Sequence, residues 1–287
     1  MIMMNKTLNF RRAFAFWQGI IFLCCFQLPA IAFAMPLFDV HLHYNETDAQ
    51  LFSPQDVVSI LKRNNVRYAV VTSRPPALAA QLYRQAGDMI IPMLGVYQTS
   101  EDKPRWFNDA QLPARIEEEL KTGSWQAIGE LHIFAAQRYQ PVFKEIIQLA
   151  VDYRLPLNIH ADPAVIDAVY EMAPGHPVIW AHAGTFPYPD LLANYLQRYP
   201  QLHIDLSVRD ERIAPDGKLR DDWYDLLLQF PARFMVGVDT FSTGRWKRFD
   251  QVTAEINNWL LQLPPNIAQK ISFSNADRVL RGSSAKH

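Results

Sequence analysis

The sequence predicts a single α/β domain built as a (β/α)8, or TIM, barrel, and three observations carry that reading. Short apolar runs rich in Val, Ile and Phe alternate with segments of helical periodicity along the whole chain after residue 34. Eight such runs fall within about 250 residues, the count that closes a barrel. No linker rich in Gly, Ser or Pro and no internal repeat divides them. A doubly wound open sheet is the alternative, and no GxGxxG follows the first run to favour its nucleotide-binding form.

In chain order the expected strands are 37–43 (LFDVHLH), 66–73, 89–97, 125–134, 155–162, 177–184, 202–209 and 233–240. Between them lie apolar residues at helical spacing, such as Val57, Val58, Ile60 and Leu61, or Val142, Phe143, Ile146, Ile147 and Ala150. Ser53-Pro54, Asp162-Pro163 and Pro187-Tyr188-Pro189 mark helix starts, because Pro fits the first helical turn. The last helical region, 246–281, should break at Pro264-Pro265.

Residues 1–34 stand outside this pattern. Lys6, Arg11 and Arg12 precede an apolar run over 13–34 that ends in Ala32-Phe33-Ala34, the layout of a secretory signal peptide. An uncleaved anchor is the alternative, but Pro29 and the small-x-small site favour cleavage. Arg11-Arg12 suits twin-arginine export less well than ordinary Sec export. The expected domain is therefore residues 35–287, periplasmic or secreted, with no stable membrane anchor after cleavage. Both Cys, at 24 and 25, would leave with the signal, so a thiol nucleophile or thiolate ligand is excluded from the mature domain. With 28 basic and 29 acidic residues there is no cationic excess, so a small-molecule substrate is expected rather than nucleic acid. Composition leaves the oligomeric state open.

The chemistry sits at the ends of the strands. Of eight His, four occupy such ends: His41 and His43 on the first, His160 on the fifth and His182 on the sixth. Glu130 lies late in the fourth, and Asp239 closes the eighth. In a barrel these ends converge on one mouth. Strand alternation sends His41 and His43 to one face, with Val40 and Leu42 toward the helices. Taken singly, each polar residue has an ordinary structural explanation. Six together would leave costly unsatisfied groups unless an ion held them. Imidazoles with carboxylates suit Zn²⁺, or Mn²⁺ or Fe²⁺, better than Mg²⁺ or Ca²⁺. Asp205, Ser207 and Arg209 share a face of the seventh strand. Arg209 is placed to clamp an anionic substrate group or to pair with Asp210 or Glu211. His132 shares the face of Glu130. Trp106 and Phe107, in the long loop 98–111, and Phe186 and Tyr188 after the sixth strand, either cover substrate or pack on the rim. His176, His203 and His287 have no motif support. Without Cys or GxSxG, a covalent mechanism has little basis.

The ordered set VHLH (40–43), IGE (128–130), IH (159–160), AHAG (181–184), GVD (237–239) and SNADRVL (274–280) resembles the amidohydrolase superfamily, in its branch of metal-dependent hydrolases and decarboxylases. The resemblance implies that His41, His43 and His160 bind metal, and that Asp239 binds metal and acts as general base. It implies that His182 binds a second ion or polarises the substrate oxygen. Glu130 stands where TatD-type members place a carboxylate that can bridge two ions, so one or two ions are expected. The leading expectation is a secreted hydrolase of an ester, lactone, amide or phosphoester that uses metal-activated water. A decarboxylase on the same site and a non-catalytic binding barrel are the alternatives.

Overall fold

A computed structural model of the protein describes residues 35–282; the signal-peptide reading of residues 1–34, and His287, lie outside them. Eight parallel strands run in chain order around one barrel: β1 (Leu37–His43), β2 (Val66–Thr72), β3 (Ile90–Leu94), β4 (Ala127–Ile133), β5 (Leu157–Ala161), β6 (Val178–Trp180), β7 (Leu202–Asp205) and β8 (Phe234–Met235). Backbone bonds from Val40 N to Val236 O and from Asp239 N to His41 O stitch the seam between the last strand and the first. Helices cover the outside, as expected of a parallel sheet whose strands are apolar on both faces.

The helix starts follow their local chemistry. Ser53 caps the helix Pro54–Arg63, its Oγ accepting from Asp56 N. Pro163 and Pro189 open the helices Pro163–Met172 and Pro189–Arg198. The C-terminal region breaks before Pro264, between the helices Phe249–Leu260 and Pro265–Gln269. Among the described residues no helix is long and apolar enough to cross a membrane.

The register shifts at the foot of the β1–β2 pair, between Leu37 and Phe38, and at two further places that feed the mouth. Along β1 the partners step from Asp39–Ala69 to Leu42–Val71, so β1 carries one extra residue there. Along β4 they step from Ile128–Leu157 to Leu131–Ile159, again with one extra residue. Such a bulge reverses which face the following side chains take. Val40 consequently packs with Val70, Met93, Ile179 and Met235 inside the barrel, not against the helices as simple parity predicts. Past each bulge, His41 and His43 on β1 and Glu130 and His132 on β4 turn toward one centre. Gly129 makes the second bulge possible: its φ is +150°, and a Cβ there would lie 2.5 Å from Asn158 O. Below, Ala276, Val279 and Leu280 close the opposite end of the interior.

The late strands are shorter than the apolar runs suggest. His182 and Asp239 have φ of 57° and 54°, so the chain leaves the ladder before reaching them. Left-handed backbone in a residue other than Gly costs roughly 1 kcal/mol or more and clusters where function demands a fixed aim.

Candidate metal centre

Glu130 is the hub of the mouth. Its Oε1 lies 3.0 Å from His160 Nδ1 and 3.1 Å from His182 Nε2. Its Oε2 lies 2.8 Å from His132 Nε2, 3.5 Å from His43 Nε2 and 3.6 Å from His41 Nε2. Two donor clusters result, each compact enough to surround one ion: His41, His43 and Glu130, and Glu130, His160 and His182. Asp239 spans them, with Oδ1 3.3 Å from His43 Nε2 and Oδ2 3.7 Å from His182 Nε2. The six ligand candidates read from the sequence thus converge. His160, however, joins His182 across Glu130 and does not join the His41–His43 pair.

The electrostatics follow from this crowding. Burial pushes the Glu130 carboxyl up, but the His132 and His41 imidazoles outweigh it and hold it well below the usual carboxylate range. Burial likewise raises Asp239, and His41 and His43 reverse it to a net lowering. In His41 burial pulls down, while Asp239, Glu130 and Asp205 together hold the imidazole well above its ordinary value. His132 yields to burial and falls to about 4 despite Glu130. Buried carboxylates in this setting require positive partners.

The donor set fits a divalent cation. Asp239 Oδ1 is buried and has no hydrogen-bond partner. The Nε2 atoms of His41 and His43 approach to 3.3 Å, an approach suited to a shared electrophile. His41, His43 and one oxygen of Glu130 can hold one ion, and His160, His182 and the other oxygen a second, with Asp239 between them.

Asp205 and Ser207 set the imidazole tautomers, a role the sequence reading did not give them. Asp205 is fully buried, and its Oδ2 accepts from His41 Nδ1 at 2.7 Å and from Ser207 Oγ at 2.7 Å. Since the Ser207 hydroxyl proton is used there, Ser207 Oγ accepts from His182 Nδ1 at 2.8 Å. Both imidazoles therefore carry hydrogen on Nδ1 and present Nε2 to the centre. His41, His182 and Asp205 are also close enough to surround an ion. Their facing atoms are already joined by these hydrogen bonds, so this trio orients the ligands. Asp205 stays below the ordinary carboxylate range because His41 overcomes the effect of burial. The face that Asp205 and Ser207 share on the seventh strand was the available signal, but it carried no role.

Other expected site residues are used differently. Arg209 Nε donates to His182 O at 2.7 Å, and its Nη2 donates to Gly184 O at 3.1 Å. These bonds build the turn that carries His182. Within that turn Gly184 has φ +73°, and a Cβ would meet Trp180 Cζ2 at 2.4 Å. Trp106 is buried and donates from Nε1 to His132 O at 2.9 Å, so it packs on the rim. Phe186 and Tyr188 are exposed. Beyond β8, Thr240 Oγ1 accepts from His43 N and donates to His43 O at the end of β1, both at 2.8 Å.

Residues 38–174, just under half of the chain, match the family described as TatD related DNase. No curated protein matches the sequence. A TatD homologue from Escherichia coli shares the fold with a TM-score of 0.57 at 14% identity, over 87% of this chain and 99% of that one. A TatD family hydrolase from Entamoeba histolytica gives 0.56 at 13%, over 86% and 99%. An amidohydrolase from Burkholderia multivorans gives 0.54 at 14%, over 86% and 99%. At such identities the structural likeness establishes the barrel, and the matched segment agrees with the motifs that resemble the amidohydrolase superfamily.

Proposed function

Taking the chain as a metal-dependent hydrolase of the TatD and amidohydrolase type, we propose that it works with two divalent ions, Zn²⁺ or Mn²⁺ first among them. One observation carries this reading: the two oxygens of Glu130 face two separate imidazole pairs, His41 with His43 and His160 with His182. Ions held there would supply Lewis acidity to a substrate oxygen and make hydroxide available near neutral pH. Asp239 is ionised at that pH, and its unpartnered Oδ1 is placed to orient the attacking water and take its proton. The same carboxyl then returns the proton to the leaving group. Asp205 and Ser207 fix the aim of His41 and His182 throughout. The substrate has an ester, lactone, amide or phosphoester bond. The matched family's description names a nuclease, so a DNA oligonucleotide belongs in the substrate panel beside small esters. A bridging Glu also favours hydrolysis over decarboxylation.

The test is metal stoichiometry. Glu130→Gln keeps the shape and removes the bridging charge, so ions per chain should fall from about two toward one, with activity lost by roughly 10²-fold or more. An unchanged count in Zn²⁺-saturated Glu130→Gln would overturn the two-ion reading. Export rests on residues 1–34 alone. If it occurs, sequencing of exported protein will begin at or near Met35; a product retaining residues 1–34 in the membrane would refute it.

A further inference from the structure

We propose that Arg74 and Lys103 form an anion-binding subsite beside Glu130, so that the substrate carries a carboxylate or phosphate apart from its scissile bond. The inference rests on the hydrolase reading, and it names the kind of molecule that site takes.

Arg74 follows β2, and Lys103 stands in the loop after β3. The two line one recess together with His43, Tyr97, Glu130 and His132. Both are half-buried. The backbone N and Nε of Arg74 donate to Asn45 Oδ1 at 3.0 and 3.3 Å, which fixes the guanidinium stem. Among the described residues its Nη groups have no hydrogen-bond or ion-pair partner, and neither has Lys103 Nζ. Lys103 lies within electrostatic reach of Glu130, Asp239 and Arg74.

Two cations held together out of bulk water need a negative partner. Glu130 and Asp239 are the available carboxylates, yet neither makes an ion pair with Arg74 or Lys103. Both carboxylates are directed at the imidazoles and at the ions these residues would hold. Once divalent charge offsets them, the field at Arg74 and Lys103 is strongly positive and calls for an anion from outside. The recess has about 10 Å³ of free volume, room for a single water-sized atom. It therefore accepts one oxygen of a carboxylate or phosphate, while the rest of that group lies in the open mouth. The guanidinium fork and the ammonium then supply charge-assisted hydrogen bonds from two sides. A substrate anchored here lays its remaining length across Glu130 toward Asp239.

The experiment uses the metal-loaded protein, its variants Arg74→Gln and Lys103→Met, and two probes, inorganic phosphate and malonate. Calorimetry should show that the tighter-bound probe loses affinity by about tenfold or more in each variant, since each removes a charge-assisted contact. The tighter probe in the wild type identifies which anion the subsite prefers. For hydrolysis, the ratio of kcat/KM for a carboxylate-bearing aryl ester over its neutral isostere should fall by about tenfold or more, mainly through KM. Equal probe affinity in wild type and variants would overturn the proposal, as would an unchanged ester ratio. If neither ester is cleaved, the hydrolase reading fails while the calorimetry still decides the subsite. Lys103 lies in a surface loop and Arg74 beside a strand end, so a folding defect in Arg74→Gln leaves Lys103→Met as an independent test.

Discussion

Replacing Asp205 with Asn tests whether one buried carboxylate aims two metal-facing imidazoles. The side chains have the same shape, so packing is kept. Asp205 Oδ1 accepts from Ser207 N at 2.8 Å, and Oδ2 accepts from His41 Nδ1 at 2.7 Å and from Ser207 Oγ at 2.7 Å. An amide has only one acceptor oxygen. The Ser207 backbone N–H cannot change its nature, whereas an imidazole can move its proton, so the Asn oxygen should stay with Ser207 N. The Asn NH₂ then faces His41 Nδ1, and His41 must accept by shifting its hydrogen to Nε2. That atom lies 3.3 Å from His43 Nε2 and 3.6 Å from Glu130 Oε2, where a lone pair is needed. The loss of an orienting carboxylate behind a ligating His weakens metal binding by about 10–100-fold, or roughly 1.4–2.7 kcal/mol. Competition with a chelator of known affinity would measure it, alongside a melting curve in excess chelator to separate folding from binding. Unchanged Zn²⁺ affinity and stoichiometry in Asp205→Asn would refute the tautomer argument.

Two further outcomes concern stability. Gly184→Ala combines a φ of +73° with a Cβ placed 2.4 Å from the Trp180 ring, so it should cost about 2–4 kcal/mol and lower Tm by roughly 5–15 °C. Thermal denaturation checks this, and a Tm within about 1 °C of wild type would show that the turn relaxes freely. Asp210 is raised to about 6 from an ordinary 3.8 by burial, against the opposing Trp259 Nε1 hydrogen bond. A carboxyl whose pKa rises on folding supports the fold fully below the unfolded value, and that contribution is lost as pH rises through the folded one. Wild type should therefore lose up to about 3 kcal/mol relative to Asp210→Asn between roughly pH 4 and pH 7. Parallel Tm–pH curves for the two proteins would contradict the raised value.

The sequence by itself determined the barrel and its chemical inventory. Strand runs, helix starts and ligand-type residues are local patterns, each written within a few consecutive positions, and His41, His43, Glu130, His160, His182 and Asp239 were all legible at strand ends. What alternation could not supply was the facing of β1 and β4, because a bulge depends on the neighbouring strand's register. The one extra residue in β1 lets Val40 face the interior beside His41, and the one in β4 turns the Glu130–His132 face toward the mouth. The division of His160 from the His41–His43 pair likewise depends on barrel closure. His41 and Asp205 stand 164 positions apart, so no spacing rule links them, and only the closed barrel makes them partners. Arg209 shows the same limit. Its parity brought it toward the mouth, but the left-handed turn at His182 and Gly184 leaves carbonyls that its guanidinium satisfies. Arg74 and Lys103 lie outside every motif, and the barrel sets them together beside Glu130 because adjacent strands end at one mouth.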